Sequence, residues 1–295
     1  MHVAISGASG LIGTALTHHL TSQGHQVTQL VRRPARNASE ISWNPATGEL
    51  DSQKLSGIHA VVNLSGAGVG DHRWTERYKK TILNSRLETT GTLARAMASN
   101  PDGPRVLING SAIGIYGDRG NLTITEQSVR GAGFLADVVE QWEAAAAPAS
   151  AAGIRVVFAR TGLVLTPKGG AFAKLLPLFK LGLGGVIAGG KQYWSFISLT
   201  DEVRALQFLI ETDISGAVNL TTPHPVTNAE VTKALSAALH RPALLPVPGF
   251  ALDIVLGEFA KDITTGAKII PEVLQNAGFV WNHPTIDDVI KAEVL

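Results

Sequence analysis

The amino-acid sequence predicts an α/β protein, in which a doubly wound parallel sheet is joined to a second, smaller C-terminal domain. Over the first 165 residues, short apolar runs alternate with amphipathic patterns of helical spacing, which is typical of parallel strands connected by helices. A glycine-rich turn separates the first apolar run from the first helical pattern. After about residue 165 the alternation stops, and residues 166–197 form a basic, glycine-rich stretch that fits no single regular element.

The order of elements follows from these patterns. The predicted strands are His2–Ser6, Val27–Val31, His59–Leu64, Arg105–Ser111, Ile154–Ala159 and Ala217–Leu220. The predicted helices are Leu11–Leu20, Tyr78–Ser99, Leu135–Ala152 and Asn228–Leu239, followed by a helical segment that runs to Leu295. The first strand, helix and second strand form a βαβ unit, which implies parallel strands and a right-handed crossover.

The composition excludes several classes of protein. The 295 residues are 45% apolar and 17% charged, and 25 basic and 24 acidic residues leave a net charge of +1, so we expect neither a disordered chain nor a nucleic-acid binder. The chain has no cysteine and no histidine pairs at metal-ligand spacing, so we expect no disulfide and no metal site. No apolar run is long enough to span a membrane, and the N-terminus lacks the pattern of a secretory signal, so a cytoplasmic location is expected.

The glycine-rich turn predicts a dinucleotide site. Gly7, Gly10 and Gly13 follow the first strand and open the first helix. Glycine at these positions allows a tight turn, a close approach of backbone N–H groups to a pyrophosphate, and close packing of the helix on the strand. The helix N-terminus adds free donors and partial positive charge. A turn without a ligand is the alternative, but it does not explain three glycines at this spacing.

These observations predict a division of the chain into two domains. Residues 1–165 and 198–222 are expected to form a nucleotide-binding domain of the Rossmann type. Residues 166–197 and 223–295 are expected to form the smaller domain, which covers the carboxyl ends of the strands and contacts a small-molecule substrate.

The end of the second strand favours NADP over NAD. Sites for NAD usually carry an acidic residue here, about 20 residues after the glycines, to bind the ribose 2′-hydroxyl. This chain has Arg32 and Arg33 instead, with no acid before Glu40. Guanidinium groups form charge-assisted hydrogen bonds with a 2′-phosphate, which an acid would repel. A solvated basic strand end is the alternative.

Several further segments resemble those of extended short-chain dehydrogenases/reductases. They are Asn63–Ala67, Ser85–Thr90, Asn109–Ala112 with Tyr116 and Gly117, and Arg160–Val164. Together with FLADVVEQWEAA, LGLGGVIAGG and WSFISLTD, they resemble a narrower group of atypical epimerase-family proteins, often labelled nucleoside-diphosphate-sugar epimerase or cell-division inhibitor. The resemblance covers nearly the whole chain.

The resemblance implies NADP contacts at Arg32, Arg33, Leu64, Ser65, Arg86 and the backbone near Val164. With the glycine-rich turn and its neighbours, the full set of predicted cofactor-binding residues is Gly7, Ser9, Gly10, Leu11, Ile12, Gly13, Arg32, Arg33, Leu64, Ser65, Gly66, Arg86 and Val164. For Arg86, a surface ion pair with Glu76 or Glu88 is an equal alternative on the sequence alone.

The catalytic pair of the superfamily is absent. Most members have a Tyr and, four residues later, a Lys on the helix after the serine-bearing strand, and the Tyr exchanges a proton during hydride transfer. This chain has Phe134 and Val138 at those positions. Ser111 keeps the serine position and Tyr116 lies near the same strand end, so these two are the candidate catalytic residues. Packing of its ring in a turn is the alternative for Tyr116.

Two functions therefore stay open at this point. The first is an NADP-dependent oxidoreductase or epimerase that acts on a small molecule, with a nucleotide sugar as one candidate. The second is a non-catalytic NADP(H)-binding redox sensor or regulatory module. Residues 182–194 are either a substrate lid or a long structural loop. We expect no nucleic-acid or membrane partner, and a homodimer is one option for the assembly.

Overall fold

The computed structural model describes all 295 residues, except for the side chains of residues 251, 253, 255 and 256. The strands are β1 His2–Ser6, β2 Gln26–Val31, β3 Glu40–Ser42, β4 Ala60–Asn63, β5 Val106–Ala112, β6 Gly120–Ile124, β7 Arg155–Thr161, β8 Leu163–Leu165, β9 Tyr193–Trp194, β10 Phe196–Ser198, β11 Gly216–Leu220, β12 Val226–Thr227 and β13 Ala267–Ile269. The helices are α1 Leu11–Ser22, α2 Glu76–Ala98, α3 Phe134–Ala144, α4 Ala147–Ala151, α5 Gly170–Lys180, α6 Leu199–Glu211, α7 Asn228–Leu239, α8 Gly249–Leu256, α9 Phe259–Thr264, α10 Glu272–Asn276 and α11 Ile286–Glu293.

Seven parallel strands form the central sheet in the order β11-β7-β5-β4-β1-β2-β3. The chain starts in the middle of the sheet, proceeds from β1 to β3 in one direction, and then from β4 to β11 in the other. The strand order therefore reverses between β1 and β4, and ligands of such sheets bind in the crevice at the carboxyl ends of the strands at this point. The predicted doubly wound parallel sheet is confirmed.

Helices cover both faces of this sheet because alternate side chains of each strand point to opposite sides. Val3 and Ile5 of β1 belong to the same apolar cluster as Leu16 of α1. Ala4, which lies between them, belongs to the cluster that contains Leu93 of α2 on the opposite face. Both faces are therefore apolar, which explains why the strands appear in the sequence as continuous apolar runs.

The helix predicted over Leu135–Ala152 was wrong as a single element. The structure has two helices there, α3 and α4, and Pro148 lies in the first turn of α4. Proline is favoured in the first turn of a helix and disfavoured in its interior, because it lacks the N–H that an interior residue donates. The prediction followed the alanine-rich run and did not give Pro148 enough weight.

The remaining elements lie outside the central sheet. Helices α5, α7 and α11 contribute Phe172, Val231 and Val289 to a separate apolar cluster. The short strand β13 pairs in parallel with β6, which connects the C-terminal part of the chain to the region after β5. The fold is thus a Rossmann-like sheet with an additional C-terminal domain, while the exact boundaries at residues 165, 198 and 222 stay predictions. Among the described residues, no helix is long and apolar enough to cross a membrane.

Candidate cofactor site

The glycine-rich turn between β1 and α1 brings three backbone segments into close contact. Gly7 has φ +74°, and a Cβ at this position would lie 2.7 Å from the carbonyl oxygen of Leu64. A Cβ on Gly13 would lie 2.2 Å from the carbonyl oxygen of Gly7. The Gly10 N–H donates to that same oxygen at 2.9 Å, which closes the turn. Neither Gly7 nor Gly13 can carry a side chain without movement of the backbone.

The start of α1 is free to bind an anion. Its N-cap residue, Gly10, supplies no side-chain cap, and no acidic residue lies in the first turn. Ser9 and Gly10 are exposed, whereas Leu11 and Ile12 are half-buried. The first N–H groups of a helix have no intrahelical acceptors, so they can donate to phosphate oxygens. Leu11 lies under the segment after β8, since a Cβ on Gly169 would be 3.3 Å from its Cδ1.

The two arginines after β2 have different environments. Arg32 is exposed, whereas Arg33 donates to both carboxylate oxygens of Glu40 at 2.6 and 2.7 Å. These hydrogen bonds lower the pKa of the Glu40 carboxyl to about 2. A cavity of about 380 Å³ lies beside the arginines, with Trp43 and Asp51 among its lining residues. Sequence reasoning missed the Arg33–Glu40 pair, although Glu40 was noted as the first acid after the strand.

Arg86 supports the loop that follows β4. Its Nη1 donates to the carbonyl oxygens of Ala67 and Ile82, both at 2.9 Å, and its guanidinium lies 4.9 Å from the centre of the Trp142 ring. Burial lowers the pKa of Arg86 to about 10. The surface ion pair considered as its alternative is not formed. A Cβ on Gly66 would lie 3.3 Å from the Arg86 side chain, so this arginine and the loop pack closely.

The other two predicted cofactor residues, Ser65 and Val164, lie near the ends of two central strands. Ser65 is half-buried in the loop after β4, and its N–H lies 3.4 Å from the side-chain oxygen of Asn63. Val164 is half-buried in β8, which pairs with β10 rather than with the central sheet. Both therefore lie just beyond the carboxyl ends of central strands, β4 in the case of Ser65 and β7 in the case of Val164.

Ser111 and Tyr116 belong to one buried network of hydrogen bonds. The Ser111 hydroxyl donates to Glu143 Oε1 at 2.6 Å, and Arg160 donates to both oxygens of the same carboxylate at 2.9 Å. Arg160 also donates to the Tyr116 hydroxyl at 2.8 Å, which in turn donates to Asn219 at 2.7 Å. Sequence reasoning found the two hydroxyls but missed their partners.

The pKa values in this network favour a charged Arg160 guanidinium and a neutral Tyr116 phenol. Burial acts against the charged form of Arg160, but its bonds to Glu143 outweigh burial and raise the pKa of the guanidinium. Burial also raises the pKa of Tyr116, which is fully buried. Both candidate hydroxyls therefore already have protein partners. Their roles in a reaction stay predictions.

An apolar cluster occupies the positions of the missing catalytic pair. Phe134 packs edge-on against Trp74 with ring centres 4.9 Å apart, and the ring centre of Phe259 lies 5.3 Å from that of Trp74. Val138 is buried in the same cluster. The ammonium group of Lys79 lies 5.5 Å from the centre of the Phe134 ring. Neither Phe134 nor Val138 can exchange a proton, so this position provides packing only.

The glycine-rich stretch at 182–190 is held by the elements around it. The Ile187 N–H donates to the side chain of Asn228 at 2.8 Å, and the Ala188 N–H donates to Val247 at 2.9 Å. The side-chain amide of Gln192 donates to the carbonyl oxygen of Ile187 at 3.0 Å. These contacts fit the structural reading of the loop, and its role as a substrate lid stays a prediction. No group of potential metal ligands occurs among the residues whose side chains are described.

The parallel sheet, its reversal point and the glycine cradle define a Rossmann-type dinucleotide-binding fold. The chain belongs to the NAD dependent epimerase/dehydratase family, which matches residues 3–221. Residues 247–293 match a domain of unknown function, DUF1731. The resemblance identified in the sequence is thereby confirmed.

Individual relatives agree with this assignment over nearly the whole of this chain. An epimerase family protein of Mycobacterium bovis is 46% identical over 98% of this chain and 96% of its own. The crystal structure of the human epimerase family protein SDR39U1 with NADPH superimposes with a TM-score of 0.91 at 32% identity, covering 99% of both chains. A nucleoside-diphosphate sugar epimerase from Corynebacterium glutamicum superimposes with a TM-score of 0.81 at 34% identity, covering all of this chain and 58% of the other.

Proposed function

We propose that this protein binds NADP(H) at the carboxyl ends of β1, β2 and β4 and acts within the oxidoreductase and epimerase chemistry of its family. The observation that carries the proposal is the cradle formed by Gly7 and Gly13, where a Cβ would meet backbone at 2.7 and 2.2 Å, beneath an uncapped helix start. The human relative that was crystallised with NADPH supports the choice of cofactor.

Each part of the cofactor has residues that fit it. The N–H groups at the start of α1, around Ser9 to Ile12, would hold the pyrophosphate. Arg32 would hold the 2′-phosphate directly, with Arg33 beside it in an orientation set by Glu40. The loop from Leu64 to Gly66, supported by Arg86, would contact the adenosine, and the backbone at Val164 would contact the nicotinamide. When bound, the nicotinamide would supply or accept a hydride.

Binding of both cofactors by purified protein tests this proposal. Arg32→Ala combined with Arg33→Ala removes two charge-assisted contacts, each contributing about 1.5–3 kcal/mol, so NADPH should bind at least about 100-fold more weakly. NADH lacks the 2′-phosphate, so its affinity should change less than twofold. Arg241→Ala, which removes an exposed arginine after α7, serves as the control. Equal losses for the two cofactors, or no NADPH binding by the wild type, would contradict the proposal.

A non-catalytic role as an NADP(H)-binding sensor or regulatory module is the second candidate. The apolar cluster around Phe134 and Val138 favours it, because the family's proton-transfer pair is absent there. An assay of hydride transfer with NADPH over a panel of nucleotide sugars and other carbonyl compounds separates the two. Turnover that Ser111→Ala abolishes would support the enzyme. Tight NADPH binding without any turnover would support the sensor.

The proposal also covers the substrate class, the location and the assembly of the protein. We keep a nucleotide sugar as the first substrate class to test, because the Corynebacterium relative is described as a nucleoside-diphosphate sugar epimerase. A cytoplasmic location and a homodimer also stay predictions. Light scattering after size exclusion, with and without NADPH, tests the assembly.

A further inference from the structure

Two segments outside the central sheet expose an unusual amount of apolar surface. Among the described residues, twelve large apolar side chains are exposed, and seven of them belong to residues 178–183 and 244–254. They include Leu181, Leu183, Leu244, Leu245, Phe250 and Ile254, whose exposed fractions lie between 50% and 81%. Single exposed apolar residues are normal in proteins, whereas a group of neighbouring ones marks an interaction surface.

The chain brings these two segments side by side, so their exposed side chains belong to one surface. The N–H of Val247 donates to the carbonyl oxygen of Val186, and the N–H of Ala188 donates to that of Val247, both at 2.9 Å. Phe250 and Ile254 are one turn apart on α8 and therefore share one side of this helix. We call the exposed apolar residues of the two segments the apolar patch.

The charged residues around the apolar patch are mostly basic. Lys180 ends α5 and Arg241 precedes the second segment, and both are exposed. Residues 162–200 and 231–254 together contain six basic residues and one acidic residue, Asp253. Because the whole chain has 25 basic and 24 acidic residues, this excess of positive charge is a local property of the region that carries the patch.

We propose that the apolar patch, together with Lys180 and Arg241, docks this protein on a membrane surface that contains anionic lipids. At such a surface, apolar side chains enter the boundary between head groups and acyl chains, while basic side chains stay among the negative head groups. The exposed apolar residues and the local positive charge match these two layers. No membrane partner was expected because no apolar run spans a bilayer, but docking on one leaflet needs no such run.

Two other occupants match the apolar patch less well. A second copy related by a twofold axis would place two identical basic surfaces against each other, and like charges repel. A protein partner ordinarily forms about one hydrogen bond per 100–200 Å² of interface. Residues 177–190 and 241–254 have no uncharged polar side chain that could form such bonds. A lipid surface requires no directional contacts of this kind, so it is the occupant that fits best.

Sedimentation of the full-length protein with lipid vesicles tests this proposal. One set of vesicles contains phosphatidylcholine alone, and the other contains equal parts of phosphatidylcholine and phosphatidylserine. Each basic residue near an anionic surface contributes about fivefold to the affinity, so the wild type should bind the second set at least about tenfold more tightly. Added salt should weaken this binding, because it screens the charges.

Three variants separate the apolar patch from its charges and from the rest of the surface. Leu181→Asp combined with Leu244→Asp places two carboxylates in the patch and should weaken binding at least about tenfold. Leu122→Asp combined with Val280→Asp makes the same change at two exposed positions elsewhere, on β6 and after α10, and should leave binding unchanged. Lys180→Gln should weaken binding about fivefold. Urea denaturation checks that each variant is folded, and Lys180→Gln keeps the test decisive if an aspartate pair disturbs folding.

Four results would overturn docking on a membrane. They are no binding to phosphatidylserine vesicles, which would favour a protein partner, equal binding to both sets of vesicles, full binding by the Leu181→Asp and Leu244→Asp variant, and loss of binding by the Leu122→Asp and Val280→Asp control. Light scattering after size exclusion tests the second copy: a wild-type dimer that the patch variant converts to a monomer would show that another chain covers the patch. NADPH binding is independent of all these outcomes, so its failure would overturn only the proposed function.

Discussion

The carboxyl of Glu202 is sealed in the core, and this should make the protein less stable as the pH rises. One of its oxygens accepts a 2.8 Å hydrogen bond from Thr161, and the other has no partner among the described residues. Burial raises the pKa of Glu202 from 4.5 to about 8. Because the folded-state pKa lies above the unfolded one, folding favours the protonated form. This contribution is therefore most favourable below pH 4.5 and is lost as the pH rises to 8.

The variant Glu202→Gln measures this effect because its amide oxygen can still accept from Thr161, while it cannot ionise. Between pH 5 and pH 7.5, the free energy of unfolding of the variant should rise by about 3 kcal/mol relative to the wild type. Urea denaturation at several pH values gives this difference directly. Glu211→Gln makes the same change at the exposed end of α6 and should leave the difference near zero. A difference between Glu202→Gln and wild type that does not depend on pH would refute the reasoning.

Three further predictions follow from single contacts. Gly13→Ala places a methyl group 2.2 Å from the carbonyl oxygen of Gly7, so NADPH should no longer raise the melting temperature of this variant. If NADPH raised the melting temperature of the variant as much as that of the wild type, the proposed role of the glycine turn in binding would be contradicted. Glu143→Gln leaves the buried Arg160 without its counter-ion and should lower the free energy of unfolding by about 3–5 kcal/mol in urea; a loss below about 1 kcal/mol, as for exposed pairs, would contradict it. Arg32→Ala should weaken NADPH binding in calorimetry more than Arg33→Ala, because Glu40 already holds Arg33; the reverse order would show that Arg33 is the main phosphate ligand.

The central sheet could be predicted because its signals are local. Each buried strand appears as an apolar run, and Gly7, Gly10 and Gly13 mark the turn where backbone segments approach each other. Helix α5 could not be predicted in the same way, since Pro177 lies inside it and glycines flank it. Its stability comes from packing of Phe172 and Leu176 against a cluster shared with α7 and α11, and such contacts leave no periodic signal in a short segment.

The proposed cofactor residues stand out in the sequence, whereas the charge arrangement around them does not. Arg32 and Arg33 follow a strand and are therefore visible in the sequence. The difference between their environments depends on Glu40, which the pairing of β2 with β3 brings close to Arg33. Ser111 and Glu143 are 32 residues apart and meet only because α3 packs across β5. Pairing of β5 with β7 places Arg160 next to Ser111 in register. Contacts of this kind are set by the tertiary fold, which residue spacing does not reveal.

Two carboxylates illustrate how their surroundings give them structural roles. Glu143 is paired with Arg160 and accepts three hydrogen bonds, so it stabilises the end of β5. Glu202 is sealed beneath Thr161, so it titrates only at a cost to folding and no ligand can reach it. A perturbed pKa therefore does not by itself mark a functional group, because a ligand must also be able to reach the carboxylate.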